Sequence, residues 1–333
     1  MSYADKVFIG MCNKIIDDNI SDLDESVRPV WKDGKEAHTI KNFGVCNRYD
    51  LSKEFPILTL RKVPFNLCLD EVLWIWQKKS NNISDLHSSI WNAWADKNGT
   101  IGKAYGYQMN KASVYKGITE EKLSKAFGDS NTCKLVKSNF NTVLPERYNF
   151  DYIYECNGYK AFHVKDSENL WALDQTDVVI YMLKTSPFSR RIITNLFNHD
   201  ELNEMSLYPC AYSMTFSVTK DSEGNKVLNG LLNQRSQDIL VANGWNVSQY
   251  AALLNIIAKV CNMKLGEFVH IIADAHIYDR HIDTVKTLIS METHKAPELI
   301  INKKDSFYDY TIDDIYLAGY EYSSDIKGID VAI

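Results

Sequence analysis

The sequence predicts a globular protein that combines α-helices with β-strands, and three observations support this class. Apolar residues recur at helical spacing in residues 3–16 and again in the segment that follows Pro64. From Tyr212 to Val218 apolar and polar residues alternate, as they do in a half-buried strand. The chain has 333 residues, of which 45% are hydrophobic and 24% charged, so it can form one large domain or two smaller ones with a substantial core.

Charge and cysteine usage narrow the classes of function. The net charge of −6 is atypical of a general nucleic-acid binder, so we expect no DNA partner. No apolar run is long enough to cross a bilayer, and the N-terminus lacks the apolar core of a signal peptide. The 7 cysteines are scattered without a CxxC pair, which indicates reduced thiols and disfavours a disulfide framework or a zinc site. We therefore expect a soluble, cytoplasmic protein with no metal and no membrane partner.

Two candidate functional residues accompany the first two predicted helices. Arg28 lies in the polar loop between them and is either a ligand contact or a solvated loop charge. The segment after Pro64, FNLCLDEVLWIWQKK, predicts a helix in which Glu71 has apolar neighbours. Burial there would raise the pKa of Glu71 toward the range of a proton relay, whereas the alternative is an ordinary surface acid.

The following segment, IWNAWADKNGTIGKAYGYQ, contains aromatic residues in a setting of turns. Trp91 and Trp94 are three residues apart and would face the same side of a helix. Such a pair suits either a protein core or a platform for a ligand. Gly102 and Gly106 predict a tight loop around Tyr105.

The character of the chain changes between residues 110 and 172. KASVYKGITEEKLSKAF predicts a short helix. Alternating residues on both sides of Asn157-Gly158 predict a β-hairpin, because this dipeptide favours the tight turn between two strands. We interpret residues 110–172 as a peripheral insertion containing a β-hairpin, and not as a second catalytic domain.

Residues after this region predict a helix that ends before Pro187 and then a strand that opens with Ser189, Arg190 and Arg191. Adjacent arginines at the start of a strand point to opposite faces, so they do not both serve one local salt bridge.

The C-terminal half predicts two more strands and a helix. A turn at Glu223–Asn225 leads into a strand that ends in the sequence Gln-Arg-Ser at 234–236. VSQYAALLNIIAKVCNM has the pattern of a helix. GEFVHIIADAHIYDRH predicts a strand that leaves Asp274, His276 and Tyr278 on one face.

Cys210 is the candidate nucleophile, because it stands between Pro209 and the alternating strand. Cysteine is strongly nucleophilic near neutral pH without a cofactor when its thiolate is stabilised. Arg235 is a candidate for that role, and its guanidinium also suits a phosphate. Ser236, Asp238 and Asn246 follow Arg235 closely in the sequence.

These motifs identify a family. Pro-Cys before an alternating strand, Gln-Arg-Ser-x-Asp at 234–238 and Asn-Val-x-x-Tyr at 246–250 resemble the thymidylate synthases. The match is collinear outside residues 110–172. It implies one catalytic domain over residues 1–333 with the thymidylate synthase fold of the α/β (α+β) class. This fold is a twisted mixed β-sheet flanked by helices, and it dimerises through the sheet.

The resemblance also implies a reaction, the reductive methylation of dUMP to dTMP. The folate 5,10-methylenetetrahydrofolate would act as cosubstrate, donating both the one-carbon unit and the hydride. The Cys210 thiolate would add to carbon 6 of the uracil ring, and Glu71 with Tyr105 would belong to a proton-moving water network. The implied catalytic residues are Cys210, Glu71, Tyr105, Asn246 and Arg235.

By the same resemblance, each binding residue has an implied partner. Arg190 and Arg191 would reach the dUMP phosphate in the partner subunit of a homodimer. Asn246 would read the uracil edge, and His276 with Tyr278 would bind the deoxyribose hydroxyl. The implied dUMP set is Arg28, Arg190, Arg191, Arg235, Ser236, Asp238, Asn246, His276 and Tyr278. The implied folate set is Trp91, Trp94, Asp238, Trp245, Ala332 and Ile333.

The chain departs from the family pattern at a few positions. Ala211 replaces a common histidine directly after the nucleophile, which removes a polar group near the pyrimidine oxygen. Ala242-Asn243-Gly244 replaces the common Gly-x-Pro, so the loop over the folate is expected to differ. Pro64 stands where an imidazole is frequent near the folate.

Three alternative functions are weighed. A pyrimidine-monophosphate hydroxymethylase would add water to the exocyclic methylene, and the apolar folate wall disfavours this. A hydrolase using Cys210, His276 and Asp274 lacks a helix N-terminus for an oxyanion site. A non-catalytic nucleotide- or RNA-binding module would not need the cysteine together with the acid and the arginine pairs.

Overall fold

The structure, a computed structural model, describes residues 1–129, 131–134, 142–326 and 328–333, with the backbone alone for residues 131–134. Twelve strands and seven α-helices form in these ranges. The first half contains α1 (Tyr3–Asp18), β1 (Thr39–Asp50), α2 (Phe65–Leu73), α3 (Gly106–Met109), β2 (Ser113–Lys116), α4 (Glu120–Phe127), β3 (Asn131–Lys134), β4 (Phe150–Cys156), β5 (Tyr159–Val164) and β6 (Leu170–Leu173). The second half contains α5 (Gln175–Thr185), β7 (Ile193–Asn195), β8 (Ala211–Lys220), β9 (Lys226–Asp238), α6 (Asn243–Val260), β10 (Lys264–Tyr278), α7 (Ile282–Ile289), β11 (Glu298–Ile301) and β12 (Ile315–Ala318).

A five-stranded mixed sheet, the central sheet, organises the molecule. Its order is β1-β10-β9-β8-β7, with β10 and β9 parallel and the other neighbours antiparallel. Along β8, buried Met214, Phe216 and Val218 alternate with the more exposed Thr215 and Ser217, which confirms the alternation predicted for this strand. The mixed α/β sheet and flanking helices predicted from the family resemblance are confirmed.

The inner face of the central sheet packs against helices. The helix α6 is almost wholly buried and contacts both β9 and β10, and α2 packs on α6. The predicted helix α1 is confirmed, with Phe8, Met11 and Ile15 buried. The predicted helix after Pro64 is also confirmed, but it continues from α2 as a π-helical turn over Trp74–Lys78. Such π-helical turns are rare in proteins overall, and those that occur are often found at functional sites.

A second sheet, of order β2-β6-β5-β4-β3, is entirely antiparallel and lies within residues 113–173. The predicted hairpin is confirmed as β4 and β5, with Asn157 and Gly158 at φ +51° and +83°. Both residues therefore adopt the left-handed conformation that a type I′ turn requires. That residues 110–172 are a peripheral insertion stays a prediction.

Two local predictions are wrong. The predicted helix at KASVYKGITEEKLSKAF begins only at Glu120, because residues 113–116 pair with β6 as β2 and Thr119 caps the helix through the Lys122 N–H. The predicted strand at Ser189, Arg190 and Arg191 is a turn, in which the Ser189 hydroxyl accepts from the Arg191 N–H at 3.3 Å. The strand β7 starts at Ile193 instead.

Candidate active site

A cavity of about 1280 Å³ opens at the end of the central sheet where β9 and β10 finish. Side chains from β9, β10, α2, α6, the loop before β1 and the C-terminal segment line it. It brings together Arg28, Glu71, Trp91, Trp94, Tyr105, Cys210, Arg235, Ser236, Asp238, Trp245, Asn246, His276, Tyr278, Ala332 and Ile333. The volume exceeds that of an ordinary pocket for one small molecule, so two ligands can be accommodated side by side.

Cys210 lies directly before β8, where it is half-buried in the cavity wall. Its Sγ is 3.5 Å from Nη2 of Arg235. The carbonyls of Tyr208 and Pro209 accept from the same guanidinium at 2.7 and 3.2 Å and hold it in place. Burial raises the pKa of the Cys210 thiol, whereas the charge of Arg235 and, more weakly, that of Arg28 oppose this rise. The sulfur therefore has a cation positioned to stabilise its thiolate.

Tyr105 is held next to the nucleophile by an unusual backbone. Its φ of +43° is uncommon for a residue with a side chain, and strain of this kind is concentrated at functional sites. Gly106 follows because a Cβ there would lie 1.9 Å from the carbonyl oxygen of Ser80. The Tyr105 hydroxyl accepts from the backbone N–H of Cys210 at 3.0 Å. Tyr105 thus fixes the backbone just before β8 by direct contact with Cys210.

Glu71 is buried on α2 and receives three hydrogen bonds. The indole N–H groups of Trp91 and Trp245 donate to its carboxylate at 2.6 and 2.5 Å, and Nε2 of Gln249 donates at 2.5 Å. Burial raises the pKa of Glu71, and these three donors partly oppose the rise. The predicted direction of this pKa shift is confirmed.

Asn246 lies on the first turns of α6 within a network of amides. Its Nδ2 donates to Oε1 of Gln249 at 3.0 Å. Its Oδ1 accepts from Nε2 of Gln234 at 3.1 Å and from Nε2 of Gln237 at 3.4 Å. The orientation of the Asn246 amide is therefore determined by its neighbours.

The parallel strands β9 and β10 form another wall of the cavity. Asp274 aligns with Ser236 and His276 with Asp238, so polar side chains of both strands meet at the same edge of the sheet. Nδ1 of His276 is 2.7 Å from Oδ1 of Asp274. Burial favours a higher pKa for Asp274, but the hydrogen bonds and charges of His276 and Lys41 together outweigh it, so the pKa is lowered. Burial raises the pKa of Tyr278 to about 12.

The remaining wall consists of a loop and the C-terminus. Val30 and Ile333 exchange backbone hydrogen bonds of 2.9 and 3.1 Å, so the last residue is paired with the loop that carries Arg28. Ala332 is buried in a small apolar cluster with Trp31. These contacts bring residues from both ends of the sequence to one rim of the cavity.

Arg190 and Arg191 do not line the cavity of their own chain. Both are exposed in the turn before β7. All other predicted site residues line the cavity.

Pattern analysis missed the second partners of several site residues. Trp91 and Trp245 were expected as aromatic walls, yet their N–H groups also bind Glu71. Gln249 and Gln237 were not singled out. A polar residue in the buried stripe of the predicted helix α6 was the available signal for Gln249.

The described residues contain no group of three or more His, Cys, Asp or Glu side chains arranged to hold a metal ion. Within the same ranges, no helix combines the length and the apolar character needed to cross a membrane.

Comparisons with known proteins agree with this geometry. A family model described as thymidylate synthase matches residues 6–333. Thymidylate synthase 1 of Bacillus subtilis (strain 168) is 36% identical over 327 residues, covering 97% of this chain and 96% of that protein. A thymidylate synthase of Bacillus licheniformis is 35% identical over 338 residues, covering 100% of both.

The solved structure of the thermostable thymidylate synthase A from Bacillus subtilis superimposes with a TM-score of 0.75 at 34% identity, covering 99% of each chain. The likeness extends over almost all of the sequence and includes the elements that build the cavity. The chain is an enzyme, a methyltransferase, and belongs to the thymidylate synthase family.

Proposed function

We propose that this chain catalyses the reductive methylation of dUMP to dTMP, with 5,10-methylenetetrahydrofolate as one-carbon donor and reductant. The observation that carries the proposal is the position of Cys210. Its sulfur lies in a cavity of about 1280 Å³ and 3.5 Å from the guanidinium of Arg235. A nucleophile, a neighbouring cation and room for two ligands are what a covalent transfer between a nucleotide and a folate requires.

In this reaction the sulfur of Cys210 bonds to carbon 6 of the uracil ring, and the electrons of the 5,6 double bond move toward carbon 5 and the oxygen on carbon 4. The thiolate is the reactive form of cysteine, so the Cys210 thiol must lose its proton for this bond to form. Arg235 and Arg28 favour that step electrostatically. Asn246 would donate to the carbonyl oxygen on which negative charge develops.

Carbon 5 then attacks the methylene group of the folate, where one of the two carbon–nitrogen bonds breaks, and carbon 5 afterwards loses its proton. Elimination of the folate leaves an exocyclic methylene on the ring. Hydride transfer from tetrahydrofolate reduces this methylene to a methyl group, and expulsion of Cys210 restores the double bond. Glu71 and Tyr105 would move protons in these steps, and the raised pKa of Glu71 suits such a role.

The nucleotide would lie along the strand-borne wall of the cavity. Arg28, Arg235 and Ser236 would bind its phosphate, and His276 with Tyr278 would bind its deoxyribose hydroxyl. Asp238, which pairs in register with His276, would contact both the nucleotide and the folate. The register of β9 and β10 supports this assignment because it places these side chains at one sheet edge.

The folate would occupy the side of the cavity that carries the indole rings. Trp91, Trp94 and Trp245 offer flat apolar surfaces to its ring system, and Ala332 with Ile333 would cover it. Asp238 would accept from the polar edge of the ring. An apolar wall on this side excludes water, which favours hydride transfer over hydration of the exocyclic methylene.

We further propose a homodimer that forms through the outer face of the central sheet. The register places Ile193, Thr215 and Leu231 in one row on that face, where Ile193 is exposed and the other two are partly exposed. Exposed apolar rows of this kind mark association surfaces. Arg190 and Arg191 lie beside this row, so a partner docked on the face would receive them at its own cavity.

Subunit mixing tests the dimer. One variant carries Cys210→Ser, and the other carries both Arg190→Ala and Arg191→Ala. Each alone should be nearly inactive, but mixed dimers have one complete site, so refolding a 1:1 mixture should restore about a quarter of the wild-type activity. No gain in the mixture, with both variants dimeric, would mean that the arginines do not act across subunits.

A cytoplasmic location is also proposed. Of the cysteines with described side chains, Cys12, Cys46, Cys68, Cys156, Cys210 and Cys261, none forms a disulfide, which supports a reducing compartment.

The reaction itself is tested by two signals from one mixture. With methylenetetrahydrofolate and dUMP tritiated at carbon 5, we expect tritium release and dihydrofolate formation, followed by its absorbance, in equal molar amounts. Tritium release without dihydrofolate would indicate the hydroxymethylase. If neither signal appears, the chain is a binding protein and the proposed function is wrong.

A further inference from the structure

Gln249 lies one helical turn after Asn246 on α6, and its side chain reaches the cavity although the residue is only 3% exposed. Its carboxamide joins two groups that the proposed function uses. Nε2 donates to Oε2 of Glu71 at 2.5 Å, and Oε1 accepts from Nδ2 of Asn246 at 3.0 Å. One side chain therefore connects the buried acid with the amide that would read the pyrimidine.

The direction of these hydrogen bonds is fixed at the Glu71 end. The two other partners of this carboxylate are the indole N–H groups of Trp91 and Trp245, which can only donate. Glu71 is therefore surrounded by donors, and Gln249 meets it with its N–H group.

The direction is also fixed at the Asn246 end, where Oδ1 accepts from Gln234 and Gln237. Those two amides have partners of their own. Nε2 of His270 lies 2.9 Å from Oε1 of Gln234, and Nδ2 of Asn243 donates to Oε1 of Gln237 at 3.1 Å. Rotating any amide of the chain would place donor against donor or acceptor against acceptor in a buried setting, which is costly.

We propose that Gln249 is a positioning residue that links Glu71 to Asn246 and fixes the orientation in which the Asn246 amide meets the pyrimidine. This inference rests on the proposed function. Uracil presents a carbonyl oxygen and an N–H group at its edge, whereas cytosine presents an amino group and a bare ring nitrogen. An Asn246 amide held in one orientation can form hydrogen bonds with the edge of one base but not with that of the other. Gln249 therefore contributes to the preference for uracil over cytosine.

The main test uses Gln249→Met, which keeps the length of the side chain and removes both hydrogen bonds. With dUMP we expect kcat/KM to fall about ten- to a hundredfold. The ratio of dUMP affinity to dCMP affinity should also fall, because Asn246 then loses one of the three amides that hold its orientation. A role limited to folding stability would leave this ratio unchanged.

Gln249→Glu separates the two hydrogen bonds. Its carboxyl can still accept from Asn246, so preference for dUMP should persist. It can donate to Glu71 only while protonated, so kcat should decline as pH rises through the range in which both carboxyls ionise and repel each other. A pH profile that matches the wild type would contradict the link to Glu71.

Asn255→Leu is the matched control. Asn255 is a buried amide on the same helix, and its side chain donates to the carbonyl of Ala251 at 2.9 Å. Its loss perturbs α6 without touching the network. Wild-type selectivity in both Gln249→Met and Asn255→Leu would overturn the proposal. If Gln249→Met does not fold, the pH profile of Gln249→Glu decides alone. Absence of dTMP formation by the wild type would refute the proposed function instead.

Discussion

Two regions of the molecule each bury a carboxylate, and they treat it differently. In the cavity, Glu71 is surrounded by three neutral N–H donors. In the junction between the second sheet and α5, which we define by Lys79, Asp174, Asp177 and Tyr308, Asp177 is surrounded by charged groups. Nζ of Lys79 binds Asp174 and lies 3.7 Å from Oδ1 of Asp177, and the Tyr308 hydroxyl donates to Asp177.

Both carboxyls have raised pKa values, but for different reasons. Burial alone is responsible for most of the effect at Glu71. Burial and then the charge of Asp174 raise the pKa of Asp177, against the opposing charge of Lys79. Glu71 faces the cavity that contains Cys210, whereas Asp177 is not among the residues that line it. A perturbed pKa indicates catalysis only where the group also faces a cavity with a reactive neighbour.

Replacing each carboxylate by its amide should give the sharpest contrast. Glu71→Gln removes a proton-transfer group, so we expect kcat to fall about 10²–10⁴-fold. Asp177→Asn should leave kcat per folded molecule within about twofold, because the junction does not contact the cavity. Steady-state kinetics with active-site titration measures both. Equal decreases of kcat in the two variants would contradict the view that only the carboxylate in the cavity takes part in catalysis.

Breaking the junction should affect stability instead of catalysis. Lys79→Met leaves Asp174 and Asp177 buried without their cation, so we expect the free energy of unfolding to fall by about 3–5 kcal/mol. Activity per folded molecule should persist. Urea unfolding at pH 7 provides the measurement. Lys103→Met is the control, because Lys103 makes its ion pairs with Glu201 and Glu204 at the surface, and it should cost much less. A similar cost for both variants would contradict the account.

The smallest expected effect concerns one donor to Glu71. Trp245→Phe keeps an aromatic ring and removes the N–H bond of 2.5 Å. Because that bond lowers the pKa of Glu71, its loss should move the limb of the kcat–pH profile that reports Glu71 to higher pH. Trp171→Phe, a buried ring of the second sheet, should leave the profile unchanged. A shift to lower pH in Trp245→Phe would show that the bond does not stabilise the carboxylate.

Elements of secondary structure and the networks around the carboxylates differ in how far the sequence predicts them. The strand β8 and the helix α6 are predicted by the spacing of their apolar residues, and the Asn157-Gly158 hairpin by its turn residues. Cys210 is predicted as the nucleophile from its place directly before a strand. The strand β2 was mistaken for helix because a four-residue strand is recognisable only from its partner β6.

The networks around the carboxylates were not predictable from local patterns. Glu71 and Trp91 are far in the sequence from Trp245 and Gln249, and the two pairs meet only after α2 packs on α6. In the same way Lys79 meets Asp174 and Asp177 only when the second sheet and α5 are in place. Motifs indicate which residues can take part in a reaction. The neighbours that adjust the reactivity of those residues depend on tertiary packing.

The bond between Cys210 and carbon 6 of the pyrimidine is the central claim, and a trapped adduct tests it most directly. With 5-fluoro-dUMP and methylenetetrahydrofolate the reaction should stop after the folate is joined, because fluorine cannot leave carbon 5 as a proton does. We expect the mass of the denatured protein to rise by that of nucleotide plus folate, and peptide mapping to place the addition on Cys210. No addition, or an addition on another cysteine, would contradict the account.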